Sequence, residues 1–467
     1  MATLEFLGAV GEVTGSCYRL IPDEADAEGS ILLECGMHQG GAAADAANRE
    51  DLTSLAGTLS AVALSHGHLD HAGLLPKLVR DGYRGPIHCT NGTRALLEIM
   101  LADAAMVMER DTDWQNRRRR GREPLTPIYT MDDVERTLDQ CQGHGYGEVV
   151  HLPSGIRLVF RDAGHILGSA CVDLMVPSAG RERRLVFSGD LGNPDSVLMR
   201  APERLQDADI VLMESTYGDR DHRSLEETLL EFQQVLNEAH KAGGNVLIPA
   251  FAVGRTQEIL YHLSRLHHAG SLPQTRIFLD SPMAIRVTDL YARYRELLDP
   301  EDLRILHQLA AGDPAQYLPG LRRTRTVEES MAINRVHGGA IIIAGAGMCS
   351  GGRILHHLRE NIGKRATRII IVGFQAAGTL GRQLVDGASS VRILGDTLDV
   401  RASVHTIGGF SAHAGKSQLL AWAGAFRNRP RFYLVHGEPA AQEALQQAMQ
   451  DQQMDARIPA PLDRIDL

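Results

Sequence analysis

The strongest constraint on this chain is a run of metal-binding side chains, His66-Gly67-His68-Leu69-Asp70-His71. It follows a largely apolar stretch, residues 59–64, that predicts a buried strand. Imidazole and carboxylate groups bind zinc at about 2.0–2.2 Å. His66 and His68 can point the same way, while Asp70 and His71 can reach a second ion. A metal site therefore explains the run better than a polar loop that is rich in histidine.

The bulk composition narrows the class of protein. A chain of 467 residues exceeds the size at which one core usually suffices, so at least two domains are expected. The six cysteines form no CxxC pair, which argues against a Cys-ligated zinc and against a disulfide framework. They favour a reducing cytoplasm, and no apolar run is long enough for a membrane span. The basic run Arg117–Arg120 is expected in a solvated linker rather than at an RNA contact.

The net charge of −10 disfavours a nucleic-acid binder, but the acidic excess lies outside residues 216–400. This middle part is close to neutral and rich in arginine, which permits a local phosphate-binding surface. Its strands alternate with helices, as in a parallel sheet with helices on both faces. The last stretch returns to the earlier pattern, so the middle part is expected to be an insertion. The predicted limits are 1–215 and 401–467 for one domain and 216–400 for the other.

Further metal-capable side chains follow other predicted strands or Gly-flanked loops. The complete set of candidate ligands is His66, His68, Asp70, His71, His165, Asp190 and His436. Three histidines and one carboxylate complete the ligand set of one metal ion. One aspartate and two histidines, together with that same carboxylate, complete the ligand set of a second ion. Two zinc ions about 3.5–4 Å apart suit phosphodiester hydrolysis. A histidine outside the metal shells, held by a carboxylate, can protonate the leaving oxygen, and His413 with Glu214 fits that role.

The ordered motif set resembles a known family. The order HxHxDH (66–71), His165 and Asp190 resembles the metallo-β-lactamase superfamily. Glu214 in E-S-T-Y-G, His413 in F-S-A-H-A-G and His436 in L-V-H-G-E resemble motifs A, B and C of its β-CASP branch. That branch includes the endonuclease of mRNA 3′-end cleavage and its prokaryotic relatives. The resemblance implies an α/β fold, a metallo-β-lactamase αββα sandwich with an inserted β-CASP domain.

The resemblance also implies residue roles. One zinc ion is expected on His66, His68 and His165, and the other on Asp70, His71 and His436. Asp190 is expected to bridge them. The catalytic residues are expected to be Asp70, Glu214 and His413. Glu34 stands where the family usually has aspartate, and this position orients a metal-ligating histidine from outside the metal shell.

The activity implied is zinc-dependent hydrolysis of single-stranded RNA, because DNA-directed members of the branch typically carry valine where this chain has His436. The alternatives are a small-molecule hydrolase of the same fold and an inactive RNA-binding scaffold. Endonuclease and 5′→3′ exonuclease action both stay open. Ser411, with nearby glycine N–H groups, is a candidate for a 5′-phosphate pocket. The oligomeric state stays open, with a homodimer among the alternatives.

Overall fold

A computed structural model describes residues 1–23, 29–119, 123–309, 317–376 and 378–467 of the chain. The described strands, in chain order, are β1 Thr3–Phe6, β2 Tyr18–Ile21, β3 Ser30–Leu33, β4 Leu59–Ala63, β5 Ile87–Thr90, β6 Cys141–His144, β7 Val149–His151, β8 Arg157–Asp162, β9 Ala170–Ser178, β10 Arg181–Phe187, β11 Ile210–Glu214, β12 Val246–Pro249, β13 Arg276–Leu279, β14 Leu321–Arg323, β15 Ala340–Ala344, β16 Arg368–Ile371, β17 Ser390–Ile393, β18 Asp396–Asp399, β19 Ser403–Thr406, β20 Arg431–Val435, β21 Asp455–Arg457 and β22 Arg464–Asp466.

The described α-helices, in chain order, are α1 Gly41–Ala47, α2 Thr53–Ala56, α3 Leu69–Ala72, α4 Leu75–Arg80, α5 Asn91–Arg118, α6 Met131–Gln140, α7 Leu225–Lys241, α8 Arg255–His268, α9 Pro282–Arg293, α10 Pro300–Leu309, α11 Val327–Ile333, α12 Ile354–Asn361, α13 Leu380–Val385, α14 Lys416–Ala423 and α15 Pro439–Asp451. None of them combines the length and the apolar character that a membrane crossing requires.

The chain divides into two compact units. The first consists of residues 1–194, 201–221 and 413–467, and the second of residues 195–200 and 222–412. The domain limits expected from the sequence, 1–215, 216–400 and 401–467, stay a prediction.

The first unit contains two seven-stranded sheets. Their strand orders are β22-β1-β2-β3-β4-β5-β6 and β21-β20-β11-β10-β9-β8-β7. One core lies between the sheets because alternate side chains of a strand point to opposite faces. Leu33 and Ala63 face this core, whereas Leu32 and Val62 pack in a second core with helices α3 to α6. A third core joins the outer face of the other sheet to α14 and α15. The αββα sandwich is therefore confirmed.

Parallel pairing within each sheet brings several strand ends to one edge. Strands β3 to β6 are mutually parallel neighbours, as are β10, β11, β20 and β21. The residues that follow β4, β10 and β20 are those in which the sequence places metal ligands, and Glu214 is the last residue of β11. Rigid strand ends thus carry the candidate site.

The second unit is built on one six-stranded sheet of order β14-β13-β15-β12-β16-β19, with every pair parallel. Both faces are covered. Ile341 and Ile343 pack with α7, α8 and α9 on one face, and Ile342 packs with α12 and α13 on the other. The parallel sheet flanked by helices is confirmed.

One sequence expectation is wrong in part. Arg117 and Arg118 lie in the last turn of α5 rather than in a linker. The guanidinium of Arg118 lies over the Trp114 ring at 3.6 Å, one helical turn earlier, and this contact supports the helix up to its end. Arg120 lies outside the described residues.

Candidate metal centre

The first ligand cluster combines the end of β4 with a loop of the other sheet. His66 Nε2 and His68 Nδ1 are 3.1 Å apart, and His165 Nε2 lies 3.3 Å from the same His68 nitrogen. Asp190 Oδ2 lies 3.5 Å from His66 Nε2 and 3.6 Å from His165 Nε2. The loop that carries His165 is closed by Ser169, whose Oγ accepts the His165 backbone N–H at 2.9 Å. Three imidazole nitrogens and one carboxylate oxygen therefore converge on one point.

The second cluster lies beside the first and uses the short helix α3. His71 Nε2 lies 3.2 Å from His436 Nε2, and Asp70 Oδ2 lies 3.6 Å from the same His436 nitrogen. The second oxygen of Asp190, Oδ1, lies 3.3 Å from His71 Nε2. His436 directly follows β20 and adopts a left-handed φ of 49°. The two oxygens of Asp190 thus face different clusters.

These distances suit zinc. Donor atoms about 2.0–2.2 Å from a tetrahedral ion are separated from each other by about 3.3–3.6 Å. The donor pairs of both clusters lie close to that separation. Asp190 Oδ1 is buried and has no hydrogen-bond partner among the described residues, as expected of an atom placed to bind a cation. The residues therefore fit a bound metal cofactor.

Glu34 supports the second cluster from outside it. Its Oε2 accepts from His71 Nδ1 at 2.6 Å, and its Oε1 accepts the Ser65 backbone N–H at 2.6 Å. The Ser65 hydroxyl donates to Glu34 Oε2 at 2.9 Å and lies 3.0 Å from His66 Nδ1. With Nδ1 engaged, His71 presents Nε2 to the cluster. Glutamate therefore makes the contact here through a longer side chain than the aspartate usual in the family.

Sequence reasoning missed two hydroxyl residues next to the ligands. Ser65 directly precedes His66 and connects it to Glu34. Thr216 Oγ1 lies 3.2 Å from His436 Nδ1. The available signal was adjacency for Ser65 and membership of the E-S-T-Y-G motif for Thr216. Hydroxyls of this kind fix which imidazole nitrogen faces a metal.

His413 stands at the margin of the ligand clusters, paired with a buried carboxylate. An isolated bridge joins it to Gly192, and the next residue, Ala414, donates its N–H to Leu191 O at 2.8 Å. His413 Nδ1 lies 3.2 Å from Glu214 Oε1, and its Nε2 lies 3.9 Å from Asp190 Oδ2. Glu214 is itself fixed, because its Oε1 accepts the Leu191 N–H at 2.6 Å. The imidazole is therefore held with Nε2 toward the ligands.

The charges around His413 favour its protonated form. Burial alone would lower its pKa, but the carboxylates of Glu214 and Asp190 outweigh burial and raise the pKa of His413 to about 9. Its side chain is 21% exposed, so the ring is reachable from outside. A histidine that is charged at neutral pH and reachable can donate a proton.

The remaining pKa shifts fit a cation site. Burial lowers the pKa of His66 and of His68, which keeps both rings neutral, as metal ligands must be. Burial opposes ionisation of Asp190, but the surrounding histidines hold the pKa of its carboxyl well below the usual range. For His71, burial is outweighed by Asp190 and Glu34, which raise its pKa. Binding of a metal to His71 would therefore release a proton.

The structure brings nearly all of the predicted site residues together. Among the described residues, four overlapping groups have donor atoms close enough together to hold a metal. They are His66/His68/His165/Asp190, Glu34/His66/His71, Asp70/His71/His436 and Asp190/Glu214/His436. Ser411 is buried and belongs to the second unit, and its role in a phosphate pocket stays a prediction.

Three protein families match successive parts of the sequence, and their descriptions agree with a metal-dependent hydrolase site. Residues 30–250 match the beta-lactamase superfamily domain, residues 256–384 the Beta-Casp domain, and residues 397–459 the Zn-dependent metallo-hydrolase RNA specificity domain. The chain is 42% identical over 431 residues to a protein named as a ribonuclease from Thermus thermophilus, covering 92% of each chain.

A second similar sequence and a solved structure of similar fold agree with these matches. The chain is 30% identical over 470 residues to the transcription termination factor FttA of Cenarchaeum symbiosum, covering 98% of this chain and 69% of that one. A crystal structure of a protein of unknown function from Enterococcus faecalis shares the fold at 12% identity, with a TM-score of 0.56 and full coverage of both chains. The chain therefore belongs to the β-CASP family of the metallo-β-lactamase superfamily.

Proposed function

We propose that this protein is a ribonuclease that hydrolyses phosphodiester bonds of single-stranded RNA with the help of two zinc ions. The observation that carries the proposal is the position of Asp190, whose two oxygens face two separate sets of histidines beside His413. The match to an RNA specificity domain and the similarity to the Thermus protein named as a ribonuclease support RNA as the substrate.

In this proposal each cluster holds one ion. His66, His68 and His165 would hold the first and Asp70, His71 and His436 the second, and Asp190 would contribute to both. Bound there, the zinc ions supply positive charge for the phosphate and a water whose pKa is lowered toward neutral. Glu34 and Ser65 keep the ligating nitrogens of His71 and His66 directed into the clusters.

His413 is proposed to protonate the leaving oxygen. Glu214 accepts from its Nδ1, which leaves the Nε2 proton for the substrate. Glu214, which binds no ion in this proposal, favours the charged form of the ring and so keeps the proton available for the leaving oxygen. General acids of this kind contribute about 10²–10⁴-fold to a rate.

The scaffold alternative fits the residues less well. An inactive RNA-binding partner has no need for a complete set of convergent ligands, yet this chain keeps five imidazole nitrogens and two carboxylates within two adjoining clusters. A protonated histidine beside them would also be without purpose. The small-molecule hydrolase alternative leaves the match to an RNA specificity domain unexplained.

The test is cleavage of end-labelled single-stranded RNA by the purified protein, with and without a chelator, and again after zinc is restored. We expect cleavage that depends on metal, with products that carry 5′-phosphate. Internal fragments at early times would indicate an endonuclease, and mononucleotides a 5′→3′ exonuclease. Absence of metal-dependent cleavage from protein that holds two zinc ions would refute the proposal.

His413→Ala is expected to slow cleavage by about 10²–10⁴-fold while the zinc content stays unchanged. The matched control is His151→Ala, which removes an exposed histidine on β7 of the same unit. If the two variants cleave at equal rates, the general acid is assigned wrongly.

The proposal includes a cytoplasmic location, which the six free cysteines support. A homodimer stays a prediction, for sedimentation to decide.

A further inference from the structure

Two phenylalanine rings are exposed at one edge of the sheet in the second unit. Phe251 is 39% exposed and Phe374 is 41% exposed. Phe251 follows β12 by two residues, and Phe374 follows β16 by three. Because β12 and β16 are parallel neighbours, their carboxyl ends lie at the same edge of the sheet. Both rings therefore emerge from one short stretch of that edge.

This stretch is the topological switch point of the sheet. From β12 the chain passes through α8 to β13, which lies on the β15 side of β12. From β16 it passes through α13 to β19, which lies on the opposite side. The two connecting helices cover opposite faces, since α8 packs in one core and α13 in the other. In open α/β sheets, ligands bind in the crevice outside the strand ends at this point.

The Phe251 ring lies close to two glycine residues, Gly347 and Gly373. A Cβ placed on Gly347 would lie 2.7 Å from Phe251 Cδ2, and one placed on Gly373 would lie 3.4 Å from Cε2. The ring therefore rests on two glycine loops, after β15 and after β16, and a larger residue at Gly347 would displace it. The loops themselves are joined, because Gln375 Nε2 donates to Gly347 O at 3.0 Å and to Gly373 O at 3.1 Å.

A ring fixed in this way is suited to stacking. Its conformation is already restricted before a ligand arrives, so little conformational entropy is lost on binding. An exposed aromatic face accepts any nucleobase, since every base has a π-face, and such stacking tolerates sequence variation. A substrate that is single-stranded offers unpaired bases for this contact.

We propose that Phe251 and Phe374 form a stacking site for unpaired nucleobases of single-stranded RNA. The proposal deepens and rests on the proposed function, from which it takes RNA as the ligand. The site recognises the bases and not the backbone phosphates, and it is separate from the metal ligands, all of which belong to the first unit.

The test measures binding of two fluorescent oligonucleotides of equal length and charge. One is a single-stranded RNA, and the other has the same sugar–phosphate backbone without bases. His413→Ala serves as the background so that the RNA stays intact, and a gel after each titration checks this. Into this background we introduce Phe251→Ala, Phe374→Ala, Phe251→Leu and Phe251→Trp. Met331→Ala is the matched control, because it removes another exposed apolar side chain of the second unit.

We expect each alanine variant to weaken binding of the RNA by about 5- to 150-fold and to leave binding of the abasic oligonucleotide unchanged. Phe251→Trp should retain binding, because the indole also stacks, whereas Phe251→Leu should lose it. Met331→Ala should behave like the background.

Four results would overturn the inference. Equal weakening for both oligonucleotides would show an effect on phosphate contacts or folding, and unchanged binding would show that the rings contact no base. Full binding by Phe251→Leu would show a contact that needs apolar area but no aromatic face. A change of sedimentation coefficient in the alanine variants without a change in RNA binding would assign the rings to a protein interface.

The outcome can be separated from that of the proposed function. Binding in the inactive background involves no bond cleavage, so a base-specific loss can be seen whether or not the wild-type protein cuts RNA. Conversely, metal-dependent cleavage by the wild-type protein together with unchanged binding by the phenylalanine variants would leave the ribonuclease standing and remove only the stacking site.

Discussion

Replacement of Glu34 by glutamine tests how the second ligand cluster is held. The side chain keeps its size, but the group opposite His71 Nδ1 becomes an amide. If the amide nitrogen faces His71, it is a donor against a donor, and the ring must move its proton to Nε2, where it blocks metal binding. If the amide is turned round, its nitrogen faces the Ser65 N–H instead. Neither orientation satisfies all three bonds that Glu34 accepts.

The expected size follows from the bond that is lost. A hydrogen bond to a charged group contributes about 1.5–3 kcal/mol, which corresponds to about 10- to 150-fold in a binding constant. Loss of an outer partner of a metal-ligating histidine typically costs about 10- to 100-fold in metal affinity or activity. We therefore expect Glu34→Gln to weaken zinc binding at the second cluster by about 10- to 100-fold and to slow RNA cleavage when zinc is limiting.

The assay is competition for zinc against a chelator of known affinity, followed by RNA cleavage at low and at saturating zinc. Glu148→Gln is the matched control, since Glu148 is a more exposed carboxylate that also contacts a histidine, with Oε1 3.3 Å from His144 Nδ1. Glu34→Asp keeps the negative charge and the acceptor atoms, so it should lose less than Glu34→Gln. Unchanged zinc affinity in Glu34→Gln would refute the reasoning.

Three other predictions follow from separate parts of the molecule. Asp190→Asn should lower zinc bound in both clusters, measured by elemental analysis, and retention of two ions would contradict a shared ligand. Phe232→Ala should destabilise the second unit by about 3–5 kcal/mol in urea unfolding, because the ring is fully buried in a core, and Phe232→Leu should cost less. Burial lowers the pKa of His262 from 6.5 to about 3. Between these values the unfolded chain holds the proton and the folded one does not, so stability should rise with pH by about 1.4 kcal/mol per unit. His262→Phe should remove that dependence between pH 3 and 6.5, and an unchanged slope would show that other groups cause it.

The sequence was sufficient to select the side chains that the fold brings together, because metal chemistry needs particular side chains. His66, His68 and the residues after them occur at a strand end. A shared metal site explains why so many metal-binding side chains stand in one run. The positions of Asp190 and His436 followed from the same rule, that buried strands deliver ligands at their carboxyl ends. The sandwich with an inserted parallel sheet followed from strand–helix alternation and from the family motifs.

Other features depend on three-dimensional context that a pattern does not carry. Ser65 and Thr216 are ordinary hydroxyl residues until the fold places them beside ring nitrogens. The end of α5 was misjudged because a run of arginines reads as a linker, whereas Arg118 stacks on Trp114 one turn away. The exposure of Phe251 cannot be predicted from the sequence either, since an apolar residue after a buried strand normally enters the core.

The ligand clusters draw on both layers of the sandwich. His66 follows β4 of one sheet, whereas Asp190 and His436 follow β10 and β20 of the other. An ion held by such a set acts as a cross-link between two layers that otherwise adhere through their apolar faces. Its binding free energy then adds to the free energy of unfolding, because the unfolded chain has no preformed site. Chelation should therefore lower the unfolding temperature of this unit. Loss of the metal would remove the link between the two layers as well as the hydrolytic activity.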